Sequence, residues 1–208
     1  MAYIAFLPKP HHLPTYEFDS DSADDSEVPV ERATWYLALH GLRIPPERFP
    51  KKAILKSSHK ITQDIICVWV TNWTVSCRTK KILESVAPKQ VEFIPVEIVR
   101  SRDGNPVNDF NYFYTNILNR INTVDLTASN LTVNGVHPRT GGVEVDWPEG
   151  GRWTQLKIKI DKRPHPGVHI WHESDLGRFG EWVFVSNELA HAFKAANIEK
   201  LIYVHAEE

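Results

Sequence analysis

The chain has 208 residues, 42% hydrophobic and 11% aromatic, enough for a sizeable buried core in one large domain or two small ones. Its 24 basic and 26 acidic residues leave a formal net charge of −2, which argues against a globally basic surface for nucleic acid or anionic membrane. Cys67 and Cys77 are too few and too far apart for a zinc ribbon or a CxxC redox motif, so a reduced, cytoplasmic protein is expected.

Tyr3 to Leu7 read as a first strand rather than a signal peptide, because no basic region precedes the apolar run and the proline-rich PKPHHLP ends it. No apolar stretch in the chain has the length of a membrane-spanning helix. EFDSDSADDSEVP follows, with Glu17, Asp19, Asp21, Asp24, Asp25 and Glu27 and almost no apolar content. Such a segment buries too little surface to offset its ordering entropy and is expected to be a mobile loop. A short apolar segment around Trp35 to Leu39 leads into a proline-broken connection, and Ile65 to Trp69, β-branched and aromatic, suits a buried strand. The turn-rich SRDGNPVND after Ile98 divides the chain into halves of residues 1–100 and 101–208, expected to form one compact unit.

In the second half, Tyr112 to Leu118 is apolar and aromatic, and the signals from Leu131 to Trp171 are all β. Asn134–Gly135, Gly141–Gly142 and Pro148–Gly151 are expected to punctuate short strands such as VEVDW and RWTQLKIKI. RPHPG turns the chain before a further strand from Val168 to Trp171.

Each half closes on the same unit. VSCRTKKILESVAPKQVEFIPV begins at Val75 and VSNELAHAFKAANIEKLIYVHA at Val185, and at constant offset Ser76 meets Ser186, Leu83 meets Phe193 and Phe93 meets Tyr203. Both read as strand, cap, short helix, strand. Ser76 and Ser186 can accept from orphan amides at a helix start. Thr79, Ile82, Leu83 and Val86, and Leu189, Ala192, Phe193 and Ala196, give helices near 77–87 and 187–196 one apolar stripe each. Pro88 cannot continue the first helix, and Asn197 tolerates the left-handed backbone that ends the second. Registered caps, stripes and strands point to a duplication. The expected fold is α+β, mostly antiparallel sheet with few short helices, as two related halves packed together.

The aromatic strand Tyr112, Phe113, Tyr114, then Val124-Asp125-Leu126 and Ser129, then VHIWHE and the closing unit through Val185, Ser186, Leu189, Phe193, Ile198, Leu201 and Tyr203, form an ordered series. That order, with the upstream VSCRTKKILESVAPKQVEFIPVEI, resembles the immunity protein 11 family of bacterial polymorphic toxin systems over roughly residues 70 to 205. The resemblance implies a non-enzymatic antidote without a cofactor. Such a protein binds the toxin domain of a cognate secreted or contact-delivered antibacterial toxin in the cytoplasm and blocks its active site.

For that role Asp19, Asp21, Asp24 and Asp25 are the first candidates, since clustered carboxylates speed association with a basic toxin cleft and mimic a polyanionic substrate. Glu173, Asp175 and Arg178, in a glycine-punctuated loop, form a second candidate surface. Trp147 and Trp153 flank the PEGG turn and can anchor a partner or pin a hairpin. No metal site is expected of His165, His169 and His172: Pro164, Pro166 and Gly167 prevent a helix, and on a strand His169 and His172 point to opposite faces. Cys77 follows a helix cap, but no histidine and carboxylate partners identify it as a nucleophile. The rival reading is a small hydrolase or transferase with its site between the halves, marked by convergent polar groups of shifted pKa.

Overall fold

Ser76 and Ser186 both start helices. The computed structural model describes residues 2–6, 16–18, 41–49, 51–55, 63–69, 72–100, 104–106, 111–136, 143–146, 155–160, 164–173, 182–198 and 201–207. In it both serines hold extended backbone, and each hydroxyl accepts from the amide three residues on, Thr79 or Leu189, at 3.2 Å. That satisfies one of the donors a helix leaves free at its first turn. The helices are α1, Cys77–Val86, and α2, Asn187–Ala195. Thr79 and Leu83 of α1 and Leu189 and Phe193 of α2 are buried as the spacing predicts, while Ala190 is buried beyond it and Ile82, Val86 and Ala196 pack half-buried against the same core. Lys89 (φ 63°), just past Pro88, and Asn197 (φ 50°) take the left-handed backbone that turns the chain toward the next strand.

The strands, among the described residues, are β1 (Ala2–Phe6), β2 (Tyr16–Phe18), β3 (Lys52–Leu55), β4 (Ile65–Trp69), β5 (Asn72–Ser76), β6 (Val91–Arg100), β7 (Tyr112–Ile117) and β8 (Arg120–Ile121). There follow β9 (Val124–Asp125), β10 (Thr132–Val136), β11 (Val143–Asp146), β12 (Ile158–Ile160), β13 (Ile170–Glu173), β14 (Val183–Ser186) and β15 (Ile202–Glu207). One sheet has the order β2-β3-β6-β7-β5-β4, the other β9-β12-β15-β1-β14-β13-β8, and β10-β11 form a two-stranded ribbon. The fold is α+β, mostly antiparallel sheet with two short helices.

The two orders run in step. β3 is parallel to β6, and β12 is parallel to β15. The remaining neighbours are antiparallel in both sheets, from β2–β3 and β9–β12 at one side to β4–β5 and β13–β14 at the other. β8, parallel to β13, is the one addition among the described residues. The sheets also do not part at residue 100. β1 lies at the centre of the C-terminal half's sheet, between β14 and β15, while β7 lies at the centre of the N-terminal half's sheet, between β5 and β6.

Alternation along these strands sorts their side chains onto two faces. Trp73, Val75, Leu83, Val91 and Ile117 join Ala5, Val183, Val185, Leu189, Phe193 and Ile198 in one core drawn from both halves. Trp73 meets Phe193 across it with ring centroids 6.3 Å apart. On the opposite face of the larger sheet, Ile4, Ile158, Trp171 and Phe184 pack with Val145 of β11 and Leu156. The Gln90 side chain also ties the halves. Its Oε1 accepts from His169 N–H at 2.9 Å and from Asn119 Nδ2 at 3.0 Å, and its Nε2 donates to the Gly167 carbonyl at 2.7 Å.

Three local readings change. Asn134–Gly135 does not turn the chain; it lies inside β10, where that strand carries one residue more than β11 between Val133 and Gly135. Gly135, at φ 144°, accommodates such a bulge because it has no Cβ. Within RWTQLKIKI the described strand is Ile158–Ile160 alone, and the strand expected from Val168 begins at Ile170. The acidic stretch 19–27 and the apolar segment 35–39 lie outside the described residues.

Candidate functional site

The arrangement closest to catalytic chemistry, among the described residues, sits at the start of α2. A depression of about 370 Å³ opens between Ser186, Asn187 and Glu188 on one side and Pro164 to His169 on the other. His169 Nδ1 lies 3.0 Å from Ser186 Oγ and 3.6 Å from Glu188 Oε2. A serine–histidine–carboxylate relay needs the serine on one imidazole nitrogen and the acid on the other. Here both face Nδ1, and Ser186 Oγ already accepts from Leu189 N–H.

The other half explains the cluster. Ser76 Oγ donates to Asp64 Oδ1 at 2.6 Å, and Arg78 Nη1 lies 3.5 Å from Asp64 Oδ2. The backbone frame is shared: Ser76 N–H donates to the Asp64 carbonyl at 2.8 Å, Ser186 N–H to the His169 carbonyl at 2.9 Å. Where one half sets aspartate against arginine, the other sets histidine against glutamate. The common element is a helix-capping hydroxyl held by the residue that precedes the neighbouring strand. The geometry is that of a cap, with different partners around the serine in each copy.

A second polar group is buried under β13. Glu173 is 7% exposed; its Oε1 accepts from Thr123 N–H and its Oε2 from Thr123 Oγ1, both at 2.7 Å. Trp171 Nε1 donates to the same Thr123 hydroxyl at 3.4 Å. Glu173 therefore staples β13 to the turn before β9 and is turned away from solvent. His172 beside it is buried as well. Desolvation first, then the Arg120 guanidinium, push its pKa well below the ordinary histidine value, and the Trp182 backbone offsets only part of this. Neither ring nitrogen makes a hydrogen bond of good geometry, so the ring is neutral at pH 7. Burial lowers Arg120 to about 10, which still leaves it charged, and Nη1 donates to the Ile117 and Asn119 carbonyls at 2.6 and 3.0 Å.

His165 is exposed, His169 half-buried and His172 buried, and they do not converge. No group of three metal-ligating side chains occurs among the described residues. No helix among them is long and apolar enough to cross a membrane. Of the residues singled out for a partner, Glu173 alone is described; Asp19, Asp21, Asp24, Asp25, Trp147, Trp153, Asp175 and Arg178 lie outside the described residues. Sequence reasoning missed two features. Gln90 spans the halves, and no local pattern marks a glutamine for that. Val133 and Val136 stand 53% and 64% exposed on β10, to either side of Gly135 at the bulge.

Residues 13–208 match the profile of the Immunity protein family (Imm11). No curated protein matches the chain.

Proposed function

The chain belongs to the Immunity protein family (Imm11), and from that premise we propose that it neutralises a cognate antibacterial toxin, secreted or contact-delivered, by stoichiometric binding in the cytoplasm. The family match over nearly the whole chain carries this reading. It acts without a reaction of its own, by covering the toxin's active site. The cap geometry at Ser186 and His169 supports this, because the equivalent serine in the other half serves the same helix-start role beside an aspartate.

The docking surface we propose centres on one segment of each half, and the two segments fall at matching joints of the sheets. Residues 19–51 join β2 to β3, and residues 126–157 join β9 to β12. The first carries Asp19, Asp21, Asp24 and Asp25 and the second Trp147 and Trp153, with Asp175 and Arg178 in the link from β13 to β14. Carboxylates there would raise the on-rate for a basic toxin, and tryptophans would supply anchoring area. An interface of ordinary size needs roughly 800 Å² per partner, which a protein of this size can offer.

Co-expression with the toxin encoded beside this chain is the test. Restored growth together with an isolable one-to-one complex is expected; growth arrest despite soluble protein would refute the antidote role. Replacing the four aspartates by asparagine should slow association and flatten its salt dependence. Unchanged kinetics would remove the acidic stretch from the interface while leaving the antidote role standing.

A further inference from the structure

Around the central strands the pairing registers match between the two sheets residue by residue. Val75 pairs with Phe113 and Ser76 with Tyr112, just as Val185 pairs with Tyr3 and Ser186 with Ala2. On the other side of the central strand, Ile94 pairs with Tyr114 and Val96 with Tyr112, as Val204 pairs with Ile4 and Ala206 with Ala2. One offset, 110 residues, relates Val75 to Val185, Ile94 to Val204, and also Tyr3 to Phe113 and Ile4 to Tyr114. β1 and β7 are thus the same strand of the repeated unit. Each sits in the sheet built by the other copy.

The aromatic contacts repeat the exchange. Lys80 Nζ of α1 lies 4.6 Å from the Phe113 ring centroid and 5.6 Å from that of Phe93. Lys194 Nζ of α2 lies 4.9 Å from that of Tyr3 and 4.8 Å from that of Tyr203. At the same offset Phe93 corresponds to Tyr203 and Phe113 to Tyr3. In each copy, one lysine covers a ring of its own closing strand and a ring of the strand received from the other copy.

We infer that the chain is a fused pseudo-dimer of one repeated unit, its copies offset by 110 residues as Tyr3 is from Phe113, and that the two copies have exchanged their first strands. Exchange of an identical element between protomers is an inexpensive route to a dimer, because the contacts made are those the unit would make with itself. Fusion makes the exchange permanent. A strand at the centre of a sheet supplies two ladders, so withdrawing β7 would unpair facing edges of β5 and β6, and withdrawing β1 those of β14 and β15. Each copy is therefore incomplete without the other, and their relative orientation is locked by the two central strands.

The test uses the full chain with a protease site inserted between Gly104 and Asn105, in the link from β6 to β7. After cleavage the fragments should coelute as one particle of 23.9 kDa plus the inserted site and unfold in one shared transition. Fragments that separate, each still folded, would overturn the exchange. Amide hydrogen exchange on uncut single variants identifies the sheet that each strand completes. Ile4→Ala should speed exchange in β14 and β15 and spare β5 and β6, and Tyr114→Ala should do the reverse. The opposite pattern would show each first strand at home in its own copy. Should Ile4→Ala fail to fold, Ile4→Val gives the same reading with a milder opening.

Discussion

Replacing Ser186 by alanine removes the oxygen that accepts from Leu189 N–H, and a lost cap of this kind costs about 1 kcal/mol. Ser76→Ala should cost a similar amount, because Ser76 makes the same bond to Thr79. Both variants should lower the urea midpoint and still protect cells from the toxin. Loss of protection by a folded, toxin-binding Ser186→Ala protein would instead support chemistry at that hydroxyl. Glu173→Ala should cost more, about 3 kcal/mol, since it orphans a buried amide and a buried hydroxyl of Thr123. Denaturant unfolding checks that figure. His172 gives the pH prediction. Its folded pKa is depressed, so below the ordinary value near 6.5 the unfolded chain takes up a proton that the folded one refuses. Its contribution to stability is complete above about pH 6.5 and falls as the pH drops toward the folded pKa, by at most about 1.4 kcal/mol per unit. His172→Phe should flatten the dependence of the urea midpoint between about pH 7 and 5; an unchanged slope would assign it to other groups.

At the scale of elements, the helices hold the halves together through few, large contacts. Phe193 is fully buried on α2 and meets Trp73 of the other half. Phe193→Ala should therefore cost about 3–5 kcal/mol, the range for an emptied aromatic site in a packed core. A thermal melt of that variant should still show a single transition, because the cavity opens in a core that both sheets line. The turn after α1 is equally committed, since Gln90 reaches the segment before β13 through both its oxygen and its nitrogen. The β10–β11 ribbon differs in kind. It packs through Val145 and presents Val133 and Val136 to solvent, so changes there should disturb the remaining fold little.

The whole molecule should unfold as one unit, with calorimetric and van't Hoff enthalpies in agreement. Two transitions would mean that the central strands do not couple the sheets. For an antidote, such coupling holds the two matching joints, β2–β3 and β9–β12, in fixed relation, which limits the ordering cost of docking. Much of this was legible locally. Ser76 and Ser186, the stripes through Leu83 and Phe193, and the strands at Ile65 and Tyr112 each depend on neighbours a few residues away, so spacing alone determines them. The repeat itself was readable too, because caps and stripes keep register at a fixed offset. What only the tertiary structure decided is which copy receives Tyr3 and which receives Phe113, that Glu173 turns inward to Thr123, and that His169 holds a cap. Each of those depends on partners tens of residues or more away, such as Ala2 beside Ser186 or Gln90 beside His169. Strand pairing is satisfied equally well by either copy's first strand, so its choice is written only in the packing of the whole.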